Sequence, residues 1–276
     1  MFDYHGDPMA SLTPLDSRRA ALDGLRAALS MAHRSASPEA FTLAEDAIVR
    51  SGLRELDAAL GGGFPRGIIA TLEGAPGSGR SAVAARLLAT ATANGGLAAL
   101  VESPAGPEGA FYPPALVAAG VDLERLVVVA ARDTAGIARA ADILMRAAAF
   151  SVVVIPSVSL RAAAWTRLAS LTHRANAILV TLGSGASDEL RYFASLRIRL
   201  EPARVRFAGS GGLFASLAGI EVEASVLKHK RAAPGRRARF TCATFEHDGA
   251  PLGNIRTRDL ETSSRTSDRI ARSVAR

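Results

Sequence analysis

Eight consecutive residues carry the clearest chemistry in this chain: Gly74-Ala75-Pro76-Gly77-Ser78-Gly79-Arg80-Ser81. They follow the apolar run 68–72 (IIATL) and precede an Ala-rich stretch of helical length, 80–93. That context is a strand-to-helix turn. The spacing fits the phosphate-loop template G-x-x-x-x-G-K-[ST] at Gly74, Gly79 and Ser81, with Arg80 in place of the lysine. Glycines at such a turn let backbone N–H groups point at a phosphate, and the helix N-terminus adds its dipole. Ser81 holds the position whose hydroxyl would ligate magnesium. Arg80 is longer, planar and forked where a lysine is a compact charge, so the exchange is not conservative. A glycine-rich turn with no ligand is the competing reading of the same residues.

Hydrolysis of a bound nucleoside triphosphate also needs a carboxylate at the end of a neighbouring strand to organise the metal. The apolar run 152–155 (VVVI) is followed by Pro156-Ser157, with neither Asp nor Glu. The run 97–101 ends in Glu102-Ser103-Pro104. Glu102 is placed either to polarise a water or to serve as an ordinary strand-end residue. The five histidines show no metal-ligand spacing.

The basic residues form a third group. Of 33 Lys+Arg, 31 are Arg and only Lys228 and Lys230 are Lys. The segment 228–239 (KHKRAAPGRRAR) has six basic residues and no acidic one. Arg231, Arg236, Arg237 and Arg239, with Arg191, Arg197, Arg199, Arg204 and Arg206, would attract phosphate backbones or an acidic partner if they share a face. A solvated, arginine-biased surface explains them equally well. Aromatic residues nearby are few, so base stacking has little support.

These residues need elements to hold them. Runs 68–72, 97–101, 126–130, 152–155 and 177–182 have strand length, and the stretches 80–93, 109–119, 134–149 and 161–175 between them have helical length. Alternation of that kind with near-continuous apolar strands predicts an α/β domain with a buried parallel sheet. After residue 190 the alternation stops. ASLRIRLEP, ARVRFAG, GIEVEASVLKHK and RARFTCATFEHDG read as successive strands, predicting antiparallel strands along one edge. The expected layout is an arm and amphipathic helix over 1–47, a core over 48–256, and a polar, disordered basic tail over 257–276. Leu15, Leu22, Leu25 and Leu29 mark the amphipathic helix, which would dock on its own core or on a partner.

The chain has 276 residues, 49% hydrophobic and 21% charged, with a net charge of +7. That is a globular composition. A single cysteine, Cys242, excludes an intramolecular disulfide framework and a Cys-based zinc site. No apolar run approaches the ~20 residues of a membrane span, and residues 1–14 lack the pattern of a signal peptide. The expected location is the cytoplasm, with no membrane partner.

Several separated segments resemble a known family. SGLRELDAALGGGFPRGIIATLEGAPGSGRSAVAARLL is similar to the start of the RecA recombinase core, at Gly52, Leu56, Asp57, Leu60, Gly61, Gly62, Gly63, Pro65, Gly67 and Ile69. ELRYFASLRIRL and VLKHKRAAPGRRARF resemble later segments of that family. The resemblance implies a RecA-like P-loop fold over about residues 48–248. It also implies losses. Arg80 stands for the loop lysine, Pro156 for the metal-organising aspartate, and Pro104 for the catalytic glutamate. The first DNA-binding loop, after Ser157, is essentially missing, and the second is cut to GSGASD between Leu182 and Glu189. The family's lysines matching Lys228 and Lys230 reach a neighbouring subunit's nucleotide. Here they are expected to keep an anion or interface contact.

Short RecA-like proteins of the ImuA type are the most similar group. The resemblance implies a non-catalytic adaptor in the DNA-damage (SOS) response. It would support translesion synthesis through contacts with a Y-family polymerase-like protein and a replicative-type polymerase. Single-stranded DNA, a RecA protein or a second copy of the chain are further partner candidates. No cofactor is required, while Mg·ATP remains open. Two alternatives stand beside this reading: a DNA-dependent ATPase or recombinase paralogue in which Arg80 serves, and a SulA-type inhibitor of cell division.

Overall fold

A computed structural model of the chain describes residues 47–243, apart from 94, 107 and 209–215. The expected amphipathic helix, the end of the expected core and the basic tail lie outside the described residues. Ten strands and six α-helices alternate among the described residues. A short pair, β1 (Ile48–Val49) and β2 (Phe64–Pro65), brackets α1 (Arg54–Ala59). Then come β3 (Ile68–Glu73), α2 (Arg80–Ala93), β4 (Leu97–Glu102), α3 (Pro113–Ala118), β5 (Leu126–Ala130), α4 (Thr134–Ala147), β6 (Phe150–Pro156), α5 (Ala162–Ala175), β7 (Ile178–Gly183) and α6 (Asp188–Phe193). Three long strands close the fold: β8 (Leu196–Ala208), β9 (Ser216–His229) and β10 (Arg237–Ala243).

Eight strands form one sheet in the order β10-β9-β8-β3-β7-β6-β4-β5. From β8 to β5 every pairing is parallel, and β9 pairs antiparallel with both β8 and β10. This is the expected architecture. The strands read as continuous apolar runs because both faces are covered. Val152 and Val154 enter one apolar cluster with Leu56, Leu72, Leu87 and Leu88, while Val153 and Ile155 enter a second with Met145, Trp165 and Leu168. Trp165 of this second cluster is fully buried.

Three local features differ from the sequence expectation. First, the helix expected over 109–119 spans only Pro113–Ala118. Pro113 and Pro114 lack N–H donors and start the helix, because only its first turn tolerates them. Second, β5 is the sheet's last strand rather than a buried one, and Val127 and Val128 are 40% and 51% exposed. Third, the two strands read over ASLRIRLEP and ARVRFAG are one, β8. It runs through Pro202 with a register shift between Pro202 and Arg204. The proline is accepted because β3 stops pairing at Arg199, so Pro202 faces no strand on that side.

The parallel strands deliver their C-terminal ends to one edge of the sheet. The turn 74–79, Glu102 and Pro156 all lie there. Lys230 lies toward the other edge, since its N–H donates to the Ser195 carbonyl and the Ser195 N–H donates to Ile69 near the start of β3.

Candidate phosphate-binding site

The loop between β3 and α2 has the backbone of a phosphate cradle. Gly74 is held from below, its N–H donating to the Gly183 carbonyl at 3.0 Å. It must be glycine, because a Cβ would sit 2.4 Å from the Leu200 carbonyl oxygen and from Ser78 Oγ. Gly77 is exposed at the tip. Gly79 has φ +89°, and a Cβ there would approach Val222 of β9 to 2.8 Å. Ser78 is fully buried, and its Oγ has no hydrogen-bond partner. Ser81 is exposed in the first turn of α2. Cys242 lies behind Gly79, and burial raises its thiol pKa, which marks it as packing rather than as a nucleophile.

Arg80 does not extend toward solvent. It is 5% exposed, and its Nη1 donates to the Gly74 carbonyl at the start of its own loop. Its Nη2 meets Glu108 Oε2 at 2.6 Å. Glu108 was not among the residues singled out from the sequence. Its only sequence signal is a carboxylate in the linker between β4 and α3. That linker is compact. Ser103 bridges Gly109, and the Gly106 N–H donates to Ser103. Glu102 Oε1 accepts the Phe111 N–H at 2.7 Å. Glu102 therefore closes the linker from its base. Burial pushes the Glu108 carboxyl up, and the charge and hydrogen bonding of Arg80 offset only part of that shift.

The residues present fit a phosphate group better than they fit a metal. The glycine-lined turn at the N-terminus of α2 suits anion oxygens, while the Ser78 hydroxyl packs beneath it against Gly74. For a cation, Ser81 is the exposed hydroxyl: β6 ends at Pro156, paired with Leu182, and the carboxylates nearest that strand end, Glu102 and Glu108, are engaged by the Phe111 N–H and by Arg80. Among the described residues no cluster of three or more His, Cys, Asp or Glu has metal-binding geometry. Magnesium carried on a triphosphate takes most of its ligands from phosphate and water, and here Ser81 is the protein hydroxyl placed for it.

The connections that would carry DNA-binding loops are short. Residues 157–161 join β6 to α5, and 184–187 join β7 to α6. They are tied to each other, with Ser157 Oγ donating to the Gly185 carbonyl at 3.2 Å.

Beneath the loop, Arg197 of β8 reaches Glu73 at the end of β3. The basic candidates do not all converge. Lys228 Nζ donates to the carbonyls of Arg191 and Tyr192 at 2.8 and 3.0 Å, capping the C-terminus of α6. Burial lowers its pKa, and Lys230 and Arg197 add to the effect. Lys230 and Arg231 are exposed, and Arg236 is half-buried. Arg237 and Arg239 both engage Glu223 of β9, at 3.3 and 2.7 Å. Two arginines of the basic stretch thus share one carboxylate of β9.

Comparison with known proteins agrees with this architecture. The family model for the RecA N-terminal domain matches residues 41–169. The RecA protein of Picosynechococcus sp. is 29% identical over 231 residues, covering 70% of this chain and 64% of that protein. The RecA protein of Synechocystis sp. is 27% identical over 275 residues, covering 84% and 74%. A higher identity, 38%, is confined to 111 residues in the RecA protein of Nostoc punctiforme, where the match spans 30% of that protein's length. A crystal structure of the RadB recombinase superposes with a TM-score of 0.55 at 19% identity, covering 71% of this chain and 97% of that one. The described residues form a RecA-like core.

Proposed function

We propose that this protein is a non-hydrolysing adaptor of the ImuA type, working in the cytoplasm during the DNA-damage response. It supports translesion synthesis through contacts with a Y-family polymerase-like protein and a replicative-type polymerase of a damage-induced complex. The observation that carries the reading is the state of Arg80. The residue standing for the catalytic lysine is turned inward onto Gly74 and Glu108, and the neighbouring strand ends in Pro156 without a carboxylate. A site in that condition lacks the parts that move a phosphoryl group. What persists is a packed sheet with an exposed edge strand and charged faces, which suits protein contacts. No helix among the described residues is long and apolar enough to cross a membrane, which is compatible with that location.

The test has two parts. Purified protein is assayed for turnover of Mg·ATP with and without single-stranded DNA, and co-purified with the Y-family polymerase-like protein. The expected result is no DNA-stimulated turnover and a stable complex. Robust stimulated turnover would overturn the reading in favour of an ATPase or recombinase paralogue using Arg80.

A further inference from the structure

The carboxylate of Glu108 engages Arg80, the charged side chain of the phosphate cradle. Arg80 Nη2 and Glu108 Oε2 are 2.6 Å apart, and the two side chains are 6% and 11% exposed. The linker carrying Glu108 is fastened at its base by Glu102 and Phe111 and by the Ser103–Gly109 bridge. Beside the pair, Ser78 Oγ is fully buried and has no partner. A buried hydroxyl without a partner is costly, and here it is packed against Gly74 under the loop whose amides suit anion oxygens. Glu108 also lines a small cleft with Glu102, Phe111, Pro156 and Leu182 at the ends of the strands.

We propose that Glu108 is a built-in competitor for the cradle: a polyphosphate group binds only by displacing the Glu108 carboxylate from Arg80, which frees the linker residues 108–111 from the loop. The proposal rests on the reading of the loop as a phosphate cradle that no longer hydrolyses. It makes nucleotide a regulator of the linker's position rather than a substrate. An anion already in place lowers the apparent affinity for another by the fraction of time the site is open. If the pair is formed nine-tenths of the time, removing it tightens polyphosphate binding about tenfold.

The experiment is calorimetric titration of the full chain with ATP and, separately, with inorganic tripolyphosphate, without added metal. Wild type, Glu108→Gln and Arg80→Ala/Glu108→Gln are compared. The expected result is binding about tenfold tighter in Glu108→Gln than in wild type, and loss of that gain in the double variant. Equal gain for both ligands assigns recognition to the phosphates. A gain for ATP alone adds a nucleoside contact to the same displacement. Unchanged or weaker binding in a Glu108→Gln protein with a cooperative unfolding curve overturns the proposal. If that variant does not fold, hydrogen exchange of wild type decides. Tripolyphosphate should speed exchange across 108–111, and unchanged exchange overturns the proposal. Turnover in the ATPase assay would sink the adaptor reading while leaving this affinity comparison to stand or fall by itself.

Discussion

Arg197 grips Glu73 with two hydrogen bonds, Nε to Oε1 at 2.8 Å and Nη2 to Oε2 at 3.0 Å, across 124 positions of sequence. Thr71 adds a third bond at 2.8 Å to Oε1. The pair ties the first antiparallel-edge strand, β8, to the strand that launches the phosphate loop. Burial alone would raise the Glu73 pKa, but the hydrogen bonds of Arg197 and Thr71 and the charges of Arg197 and Arg199 outweigh it, so the carboxyl ends below its usual range. A carboxylate with a lowered folded pKa stabilises the fold above its unfolded pKa, and that contribution disappears as pH falls through the folded value. Unfolding midpoints should therefore drop as the pH is taken below about 4.5, and Glu73→Gln should flatten the drop. At pH 7 either Glu73→Gln or Arg197→Met should cost about 3 kcal/mol, because each strands a buried partner. A Glu73→Leu/Arg197→Met protein should recover most of that. Chemical unfolding of the four proteins checks it, and equal losses that simply add would show that the two residues act independently.

Gly74→Ala should be among the most damaging single-methyl additions in the core. The new Cβ would lie 2.4 Å from a backbone oxygen of β8, which cannot rotate away. The loop or the strand must shift, at a cost of about 2–4 kcal/mol. Thermal unfolding reads the loss directly. A small effect would mean that the β3–β8 junction gives way easily, contrary to the rigid floor that Glu73 and Arg197 imply.

The sheet was legible because a doubly covered parallel strand leaves a continuous apolar run, as at 152–155 and 177–182. The phosphate loop was legible because its glycines are fixed in spacing by the backbone geometry they permit. Glu108 was not, since its meaning comes from a linker fold that brings it to Arg80 from another turn of the chain. The position of β5 was not legible either: Leu126–Ala130 reads like a central strand, and only the strand order shows that it is last. The role of Lys228 was half legible. Its retention in an arginine-rich chain marked it, but the cap on α6 depends on a contact across 37 positions.

Lys228 and Lys230 should separate by the property that each affects. Lys228→Met removes two charge-assisted bonds to the last carbonyls of α6 and should cost about 1–2 kcal/mol of stability. Lys230 is exposed and holds its neighbours through its backbone, so Lys230→Met should leave stability within about 0.5 kcal/mol. If the proposed anion or interface contact exists, Lys230→Met weakens complex formation instead. Parallel unfolding and partner-binding titrations on both variants test this. A stable Lys228→Met protein would remove the capping role.

Glu223 decides how much of the basic stretch is available to a polyanion. Arg239 places both Nε and Nη2 on it, at 2.8 and 2.7 Å, and Arg237 adds a contact at 3.3 Å. Those charges hold the Glu223 carboxyl below its usual range, with the hydrogen bond from Arg239 the main cause. Both arginines are largely exposed, so the pairs add little to stability. Their effect is on the field outside the sheet, where one carboxylate offsets two guanidinium groups. Glu223→Gln should release that offset without unfolding the protein. Retention on a heparin column should move to higher salt. The slope of log affinity for a single-stranded oligonucleotide against log salt should steepen by about one phosphate contact. Arg237→Ala/Arg239→Ala in the same background should return both to the wild-type level or below. If Glu223→Gln leaves elution unchanged, the β9–β10 face plays no part in polyanion binding, and the exposed Lys230 and Arg231 become the residues to examine.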